Sequence, residues 1–399
     1  MTALLAPAID YPRAAPFRLG GSSHAEILRS WLYATTLPAI AGCALFGRNA
    51  AIILGASVGA AVVSDFLFAQ LIRRRQRSDM LHVLVLALLL GLTFPPTAPW
   101  YIPAFAAFVM VTVKTAFGGI SHCIWHPALI ARVVVQFLFT QQLGLTFAGA
   151  PVKGPVLAPA HLVTGRIELS RQFAPTEYLG WRDTGLVEQK AHAFETVRPQ
   201  QVLRLYADGQ IPQDVSLWKN DPPLRFTPLL RDYLPPWGDT ILGAVPGAIG
   251  ETTSLAIIVA GLYLIYRGHL RWQLPIAVLA GAAVAAAIMP ISIGADKAYR
   301  WVPILVFEEG RAVGLAYTLF HLTAGQLLIC AFLFGGEMLL SPLRARGQLL
   351  FGAGIGMITI FLRLYGPLDG EGYWAVLAMN TIVPMIDSRL KRPVLGIER

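Results

Sequence analysis

Charge is the scarcest feature of this sequence: Asp, Glu, Lys and Arg make up 14% of its 399 residues, where soluble globular domains carry about 25%. Hydrophobic residues reach 55% and the mean hydropathy is +0.57, so an ordinary soluble enzyme is excluded. Cysteine is nearly missing as well. Cys43, Cys123 and Cys330 are too scattered for a disulfide framework, and no CxxC pair offers ligands to zinc or an iron–sulfur cluster. A phosphate-binding P-loop, a dinucleotide fingerprint between strand and helix, and a nucleophile elbow are also absent, so the chain is not expected to bind a nicotinamide nucleotide itself. Residues 1–29 lack the apolar core and small-residue cleavage site of a removable signal peptide, which leaves the first apolar segment as a membrane anchor.

Long apolar runs are what the chain has in abundance. Several reach or approach the roughly 20 residues that cross a bilayer as a helix. Hydropathy predicts an all-α, polytopic membrane protein with ten spans, at 30–47, 50–71, 80–94, 100–117, 127–142, 245–266, 273–293, 315–338, 348–364 and 373–387. An even number puts both termini on one side, and short cytoplasmic loops are enriched in Lys and Arg. One face collects sixteen basic residues, including Arg73, Arg74, Arg75, Arg77, Lys114 and the C-terminal tail; the other holds five, Arg48, Lys297, Arg300, Arg311 and Arg363. Both termini are therefore expected in the cytoplasm, in a bacterial-type inner membrane. The isoelectric point of 9.6 reflects this topology and not nucleic-acid binding.

The implied organisation is a cytoplasmic tail (1–29), a first membrane half (30–142), a long extracytoplasmic segment (143–240), a second half (241–387) and a short cytoplasmic tail (388–399). The long segment carries ten basic and ten acidic residues, so the net charge of +9 resides in the membrane part and its flanks. Structureless segments of such length are usually functional or partner-binding, and a periplasmic partner is expected there. Several spans carry punctuation that a lipid-facing helix would not need. Pro95 and Pro96 stop the third span, and a break at that depth is tolerated only where protein or a cavity satisfies the freed carbonyls. Gly118-Gly119 and Gly335-Gly336 each end an inward-running span before a proline, Pro127 or Pro342; paired breaks of this kind can mark two structural repeats around a central site.

Six segments in order carry a resemblance: LTFPPTAPWY (92–101), AFGGISHCIWHPALIAR (116–132), PGAIGETTSLA (246–256), HLRWQLP (269–275), SPLRARGQLLFG (341–352) and GPLDGEGYWAVLAMNTIVPMID (366–387). Together they resemble the RnfD/NqrB family, the membrane subunits of that name in Rnf-type electron-transport complexes and in the sodium-pumping NADH:quinone oxidoreductase. The resemblance implies a flavoprotein subunit that relays electrons between partner subunits of a membrane complex, linked to cation movement. It also implies a flavin mononucleotide, FMN, attached through its phosphate to a Thr before the sixth span. Thr227 in LRFTPLL is the best match, with Arg225 placed to pair with the phosphate; Arg225 and Phe226 stand where the family has small residues, and a plain turn before Pro228 is the alternative.

A second flavin, FMN or riboflavin, is expected near Gly119 to Arg132. There Gly118 and Gly119 allow close backbone approach, Trp125 offers a stacking surface, and His126 stands where the family has Asn, supplying one donor and one acceptor. Simple packing and capping is the competing reading. In the fifth segment Ser341 and Arg346 match the family and are candidates for a ribityl chain or phosphate, while Glu337 replaces an Asp. For a cation pathway the candidates are Glu251, beside Thr252 and Thr253, then Asp387 with Asn380, and Asp65 in the second span; intramembrane carboxylates are costly and usually functional. Each also has a structural alternative, as a helix cap, a solvated end or a paired charge. Two rival functions stay open. His82, His122, His126 and His321 lie near or within spans and raise haem or metal ligation, although no regular pairing emerges; and a flavin-free transporter or scaffold fits broken spans equally well.

Overall fold

The computed structural model describes residues 23–72, 77–117, 123–140, 143, 203, 237–243, 247–252, 254–293, 298–300, 311–337, 340–366 and 369–390. In chain order the elements are α1 (His24–Phe46), α2 (Arg48–Ile72), α3 (Arg77–Leu92), α4 (Tyr101–Ala116), α5 (Pro127–Leu138), α6 (Trp237–Leu242), α7 (Ser254–Tyr266) and α8 (Gln273–Ile288). A hairpin of β1 (Ile291–Ile293) and β2 (Ala298–Arg300) follows, with Ile291 opposite Arg300. Then come α9 (Arg311–Thr323), α10 (Leu327–Ile329) running into a π turn at Cys330–Phe334, α11 (Ala345–Tyr365) and α12 (Glu371–Arg389). Apart from the hairpin the described chain is helical, and a helix lies at each of the ten expected positions. Among the described residues, α2 over Arg48–Gln70 and α11 are individually long and apolar enough to cross a membrane, and α9 with α10 and the π turn make a third as a bent pair. Others, such as α3 over Met80–Leu92, α4, α5, α7 and α8, are apolar but short.

The surface confirms the apolar solvent that composition implies. Leu67, Leu138, Leu262, Leu315 and Leu350 point outward, while His82, His126, Arg132, Glu251, Glu337 and Arg363 are buried. That is the inverse of a soluble domain, in which charged side chains are almost never inside. Close helix approach comes from small residues, as expected where lipid supplies no hydrophobic drive. A Cβ at Gly281 of α8 would stand 2.5 Å from the carbonyl of Ala353, and one at Gly352 of α11 would stand 2.8 Å from that of Leu274. Backbone meets backbone along this seam, and a larger side chain at either position would force the two helices apart.

Three expected spans are corrected by local geometry. The sixth was expected over 245–266, but its helix starts only at Ser254. Residues 247–252 enter as turns, and their amides pair with the broken end of α3: Ile249 N donates to Phe94 O at 3.0 Å and Gly250 N to Leu92 O at 2.8 Å. Pro96 has no N–H to give Leu92 and Pro95 has none for Gly91, whose carbonyl accepts from Phe94 N instead at 3.3 Å. Each break thus satisfies the other. The seventh helix stops at Ile288, before Pro290, and not at 293. The eighth, expected over 315–338, bends by 58° between Thr323 and Leu327, where Gly325 takes the left-handed φ of +72°.

Two basic residues used in the loop comparison also lie elsewhere. Lys114 on α4 is buried, and Arg363 is an interior residue of α11 with 1% of its surface exposed. One leaves each tally, so the asymmetry stands. The Gly-Gly pairs follow the fourth helix of the first half and the third of the second, which is out of register for a direct repeat.

Candidate functional site

Helix breaks bring ionisable side chains into the interior at three places. At the first, Gly335-Gly336 ends the π turn and releases Glu337 from helical geometry, with Gly335 N bonded to Cys330 O at 2.7 Å. π turns occur disproportionately at functional sites. The Glu337 carboxylate stands between two imidazoles from other elements. His82 Nε2 of α3 is 2.8 Å from Oε1, and His126 Nε2, at the cap of α5, is 2.9 Å from Oε2. The second approach is close enough for an ion pair but lies off the line of a directed hydrogen bond. All three residues are buried, and among the described residues neither histidine's Nδ1 has a partner.

Phe334 separates this cluster from the second. Its ring centroid lies 5.0 Å from that of His126 and 5.6 Å from that of Tyr373, edge-on to both. Tyr373 of α12 donates its hydroxyl to Glu251 Oε1 at 3.2 Å, and Ala248 N donates to Oε2 at 3.3 Å. Glu251 is thus held inside the turns that precede α7, as an accepting carboxylate. Thr252 lies beside it with its hydroxyl buried and, among the described residues, unpaired.

The third place is the 58° bend itself. Arg363 reaches across from α11, donating from Nη1 to His321 O at 2.9 Å and from Nη2 to Ala324 O at 3.0 Å. Its Nε donates to Glu371 Oε1 at 3.1 Å. The carbonyls freed by the bend are therefore capped by a cation whose charge is balanced by a buried carboxylate. Nearby, Gln326 Oε1 accepts from Gly372 N at 3.2 Å and Gln136 Nε2 donates to Asp369 O at 2.8 Å, tying α12's start to the bend and to α5.

Among the expected site residues, Thr227, Arg225, Gly118, Gly119, His122 and Thr253 lie outside the described residues. Trp125 donates its indole N–H to Thr381 at 2.9 Å and takes the edge of Phe117. Arg132 is buried, its Nε 3.4 Å from Thr93 O and its guanidinium over the Phe94 ring. His126 is thus turned to Glu337 and Arg132 to the broken end of α3. Ser341 lines a cleft of about 130 Å³ with His269, Arg271 and Gln348, whereas Arg346 is exposed at the start of α11. Burial, and then the neighbouring Arg267 charge, hold the His269 imidazole below its usual pKa.

The three cation-pathway candidates are not brought together. Glu251 is interior; Asp387 accepts from Leu343 N at 3.3 Å and so holds the turn before α11; Asp65 is half-buried on α2. His82 and His321 do not form a facing pair either, since His321 Nδ1 is 3.3 Å from Arg363 Nη1. Among the described residues no three His, Cys, Asp or Glu side chains are grouped to hold a metal ion. The residues that sequence reasoning missed as partners are Glu337, Tyr373, Arg363 and Glu371. A signal did exist for Glu337: a carboxylate directly after Gly-Gly inside an apolar run.

Comparison with known proteins extends over nearly the whole chain. A model described as the NQR2, RnfD, RnfE family matches residues 12–396. The chain is 26% identical over 389 residues, 97% of its own length and 95% of the relative's, to the D-type subunit of the ion-translocating oxidoreductase complex of Halorhodospira halophila. It is 25% identical over 379 residues to the D-type subunit of the Na(+)-translocating ferredoxin:NAD(+) oxidoreductase complex of Acetobacterium woodii, covering 94% and 92% of the two chains. The D-type subunit of a proton-translocating ferredoxin:NAD(+) oxidoreductase complex, from Clostridium ljungdahlii, is likewise 25% identical over 384 residues, covering 94% and 93%.

Proposed function

The chain belongs to the NQR2, RnfD, RnfE family, and from that premise we propose that it is the D-type membrane subunit of an ion-translocating electron-transport complex. Its relatives' names supply the reaction class: electrons from reduced ferredoxin to NAD(+), coupled to cation movement. The observation that carries this reading is the full-length match to such subunits, on a fold whose interior holds ionisable groups at helix breaks. Its partners are the other subunits of that complex, with 143–240 as the surface for a periplasmic one, and both termini are cytoplasmic.

In this reading an FMN is attached through its phosphate to Thr227, with Arg225 beside it. The flavin, when bound, supplies the electron transfer. The protein's own residues supply its placement and the dry, polar interior next to it. A second flavin, FMN or riboflavin, would require His126 to leave Glu337. That engagement favours a second reading, a flavin-free transporter or scaffold subunit of the same fold.

The discriminating experiment is a denaturing gel of the purified protein under ultraviolet light, wild type beside Thr227→Ala. A fluorescent band lost in the mutant supports covalent FMN at Thr227. A dark wild-type band with flavin released to the supernatant keeps a flavoprotein but removes Thr227 as its anchor. No flavin in either fraction, from a complex purified intact, leaves the flavin-free reading.

A further inference from the structure

We propose that His82, Glu337 and His126 form a proton-binding site, and that the cation this subunit handles is a proton. The inference rests on the ion-translocating reading above and names its ion. Three titratable side chains from three separate elements meet within 2.8 and 2.9 Å, all buried. Burying ionised groups is expensive, and a carboxylate between two imidazoles is a costly way to join helices when an apolar contact would serve. The chemistry is also selective. A hard cation such as sodium needs a cage of oxygens, whereas this site offers one carboxylate and two nitrogen donors, which suit protons or soft metals. A soft metal would need both ring nitrogens aimed at one point. Here each Nε2 faces a different oxygen of the same carboxylate, His82 within a hydrogen bond and His126 at ion-pair distance, so the two nitrogens converge on no common point.

The ring nitrogens that face away add a second observation. Among the described residues, neither Nδ1 of His82 nor Nδ1 of His126 has a partner, and both are buried. An imidazole that accepts a proton at one nitrogen releases another from its opposite nitrogen. A proton entering at one Nδ1 is matched by one leaving at the other Nδ1. The cluster then ends with the same number of protons, and no electron moves. Among the described residues, Cys123 in the turn before α5 also feels the Glu337 charge, with Lys114 of α4 beyond it. Across the Phe334 ring, Tyr373 and Glu251 form a second pair able to carry a proton. Phe334 belongs to the π turn, and its ring touches both His126 and Tyr373.

The test uses inverted membrane vesicles containing the intact complex, driven by reduced ferredoxin and NAD(+). Acidification is followed by acridine-dye quenching in sodium-free buffer, and sodium uptake by ²²Na⁺. Acidification without added sodium is expected, abolished by a protonophore, reduced at least tenfold by Glu337→Gln and by His126→Gln, and substantially restored by Glu337→Asp. If Glu337→Gln fails to assemble, His126→Gln decides by the same readout. Protonophore-resistant sodium uptake that survives either substitution would overturn the proton site while leaving the ion-translocating function intact. Movement of neither cation by wild-type vesicles that still reduce NAD(+) would overturn the ion-translocating reading itself, and this inference with it.

Discussion

Arg363 and Glu337 are both ionisable groups buried at a break in a helix, and they are held in opposite ways. All three nitrogens of Arg363 donate, two of them to the backbone carbonyls of His321 and Ala324 and one to Glu371. The Glu337 cluster touches no backbone group in the contacts that define it; it is side chain on side chain, with one contact misaligned and two imidazole nitrogens unpaired. Burial of charge is therefore not by itself a mark of function. A charge that caps stranded carbonyls belongs to the fold, whereas titratable groups that bond chiefly to one another, with polar atoms to spare, are arranged to change state.

The comparison breaks most visibly at Arg363. Arg363→Met leaves Glu371 buried and unpaired and two carbonyls uncapped, for an expected loss of roughly 3–5 kcal/mol. Thermal unfolding in detergent should show a lower Tm and poor yield; a wild-type Tm would mean that the bend does not depend on the guanidinium. Glu337→Gln is expected to do the reverse, with at least tenfold less proton movement and a Tm closer to wild type than that of Arg363→Met. Tyr373→Phe removes a donor from the buried Glu251 carboxylate and should lower stability by about 1.5–3 kcal/mol. Its informative readout is vesicle acidification, which slows if Tyr373 and Glu251 continue the proton route and stays unchanged if they serve only the fold. The smallest effect is expected for Arg267→Met. Its partner Glu26 lies 2.9 Å away, but their side chains are 40% and 49% exposed, so less than about 1 kcal/mol is at stake. A drop there as large as at Arg363 would show that exposure does not separate the two kinds of pair.

How much of this was legible beforehand differs by scale. The apolar segments were readable because a bilayer-facing helix must be apolar over most of its length, and a helix occurs in each, three of them with bounds or a bend that differ from expectation. The break after α3 was readable from Pro95 and Pro96. What answers the break was not, because the donors, Ile249 and Gly250, lie more than 150 residues away in sequence and nothing local marks them. Glu251 was recognised as an intramembrane carboxylate, yet its partner Tyr373 comes from the last helix. Arg363 was misread as a loop residue because hydropathy sees a charge near a span's end and assigns it to water. Thr227 and Arg225 lie outside the described residues, so their expectation rests on the resemblance as before.

By itself, then, the sequence determined the solvent this protein lives in, the places where its helices run, the points where proline and glycine interrupt them, and its family. Those properties follow from the free energy of transferring each residue and from backbone sterics, both of which are local. Only the tertiary structure decided which break satisfies which, which charge is a cap and which a titratable cluster. A buried polar group's state depends on the atoms within about 3 Å of it, and here those atoms come from helices far apart in the chain.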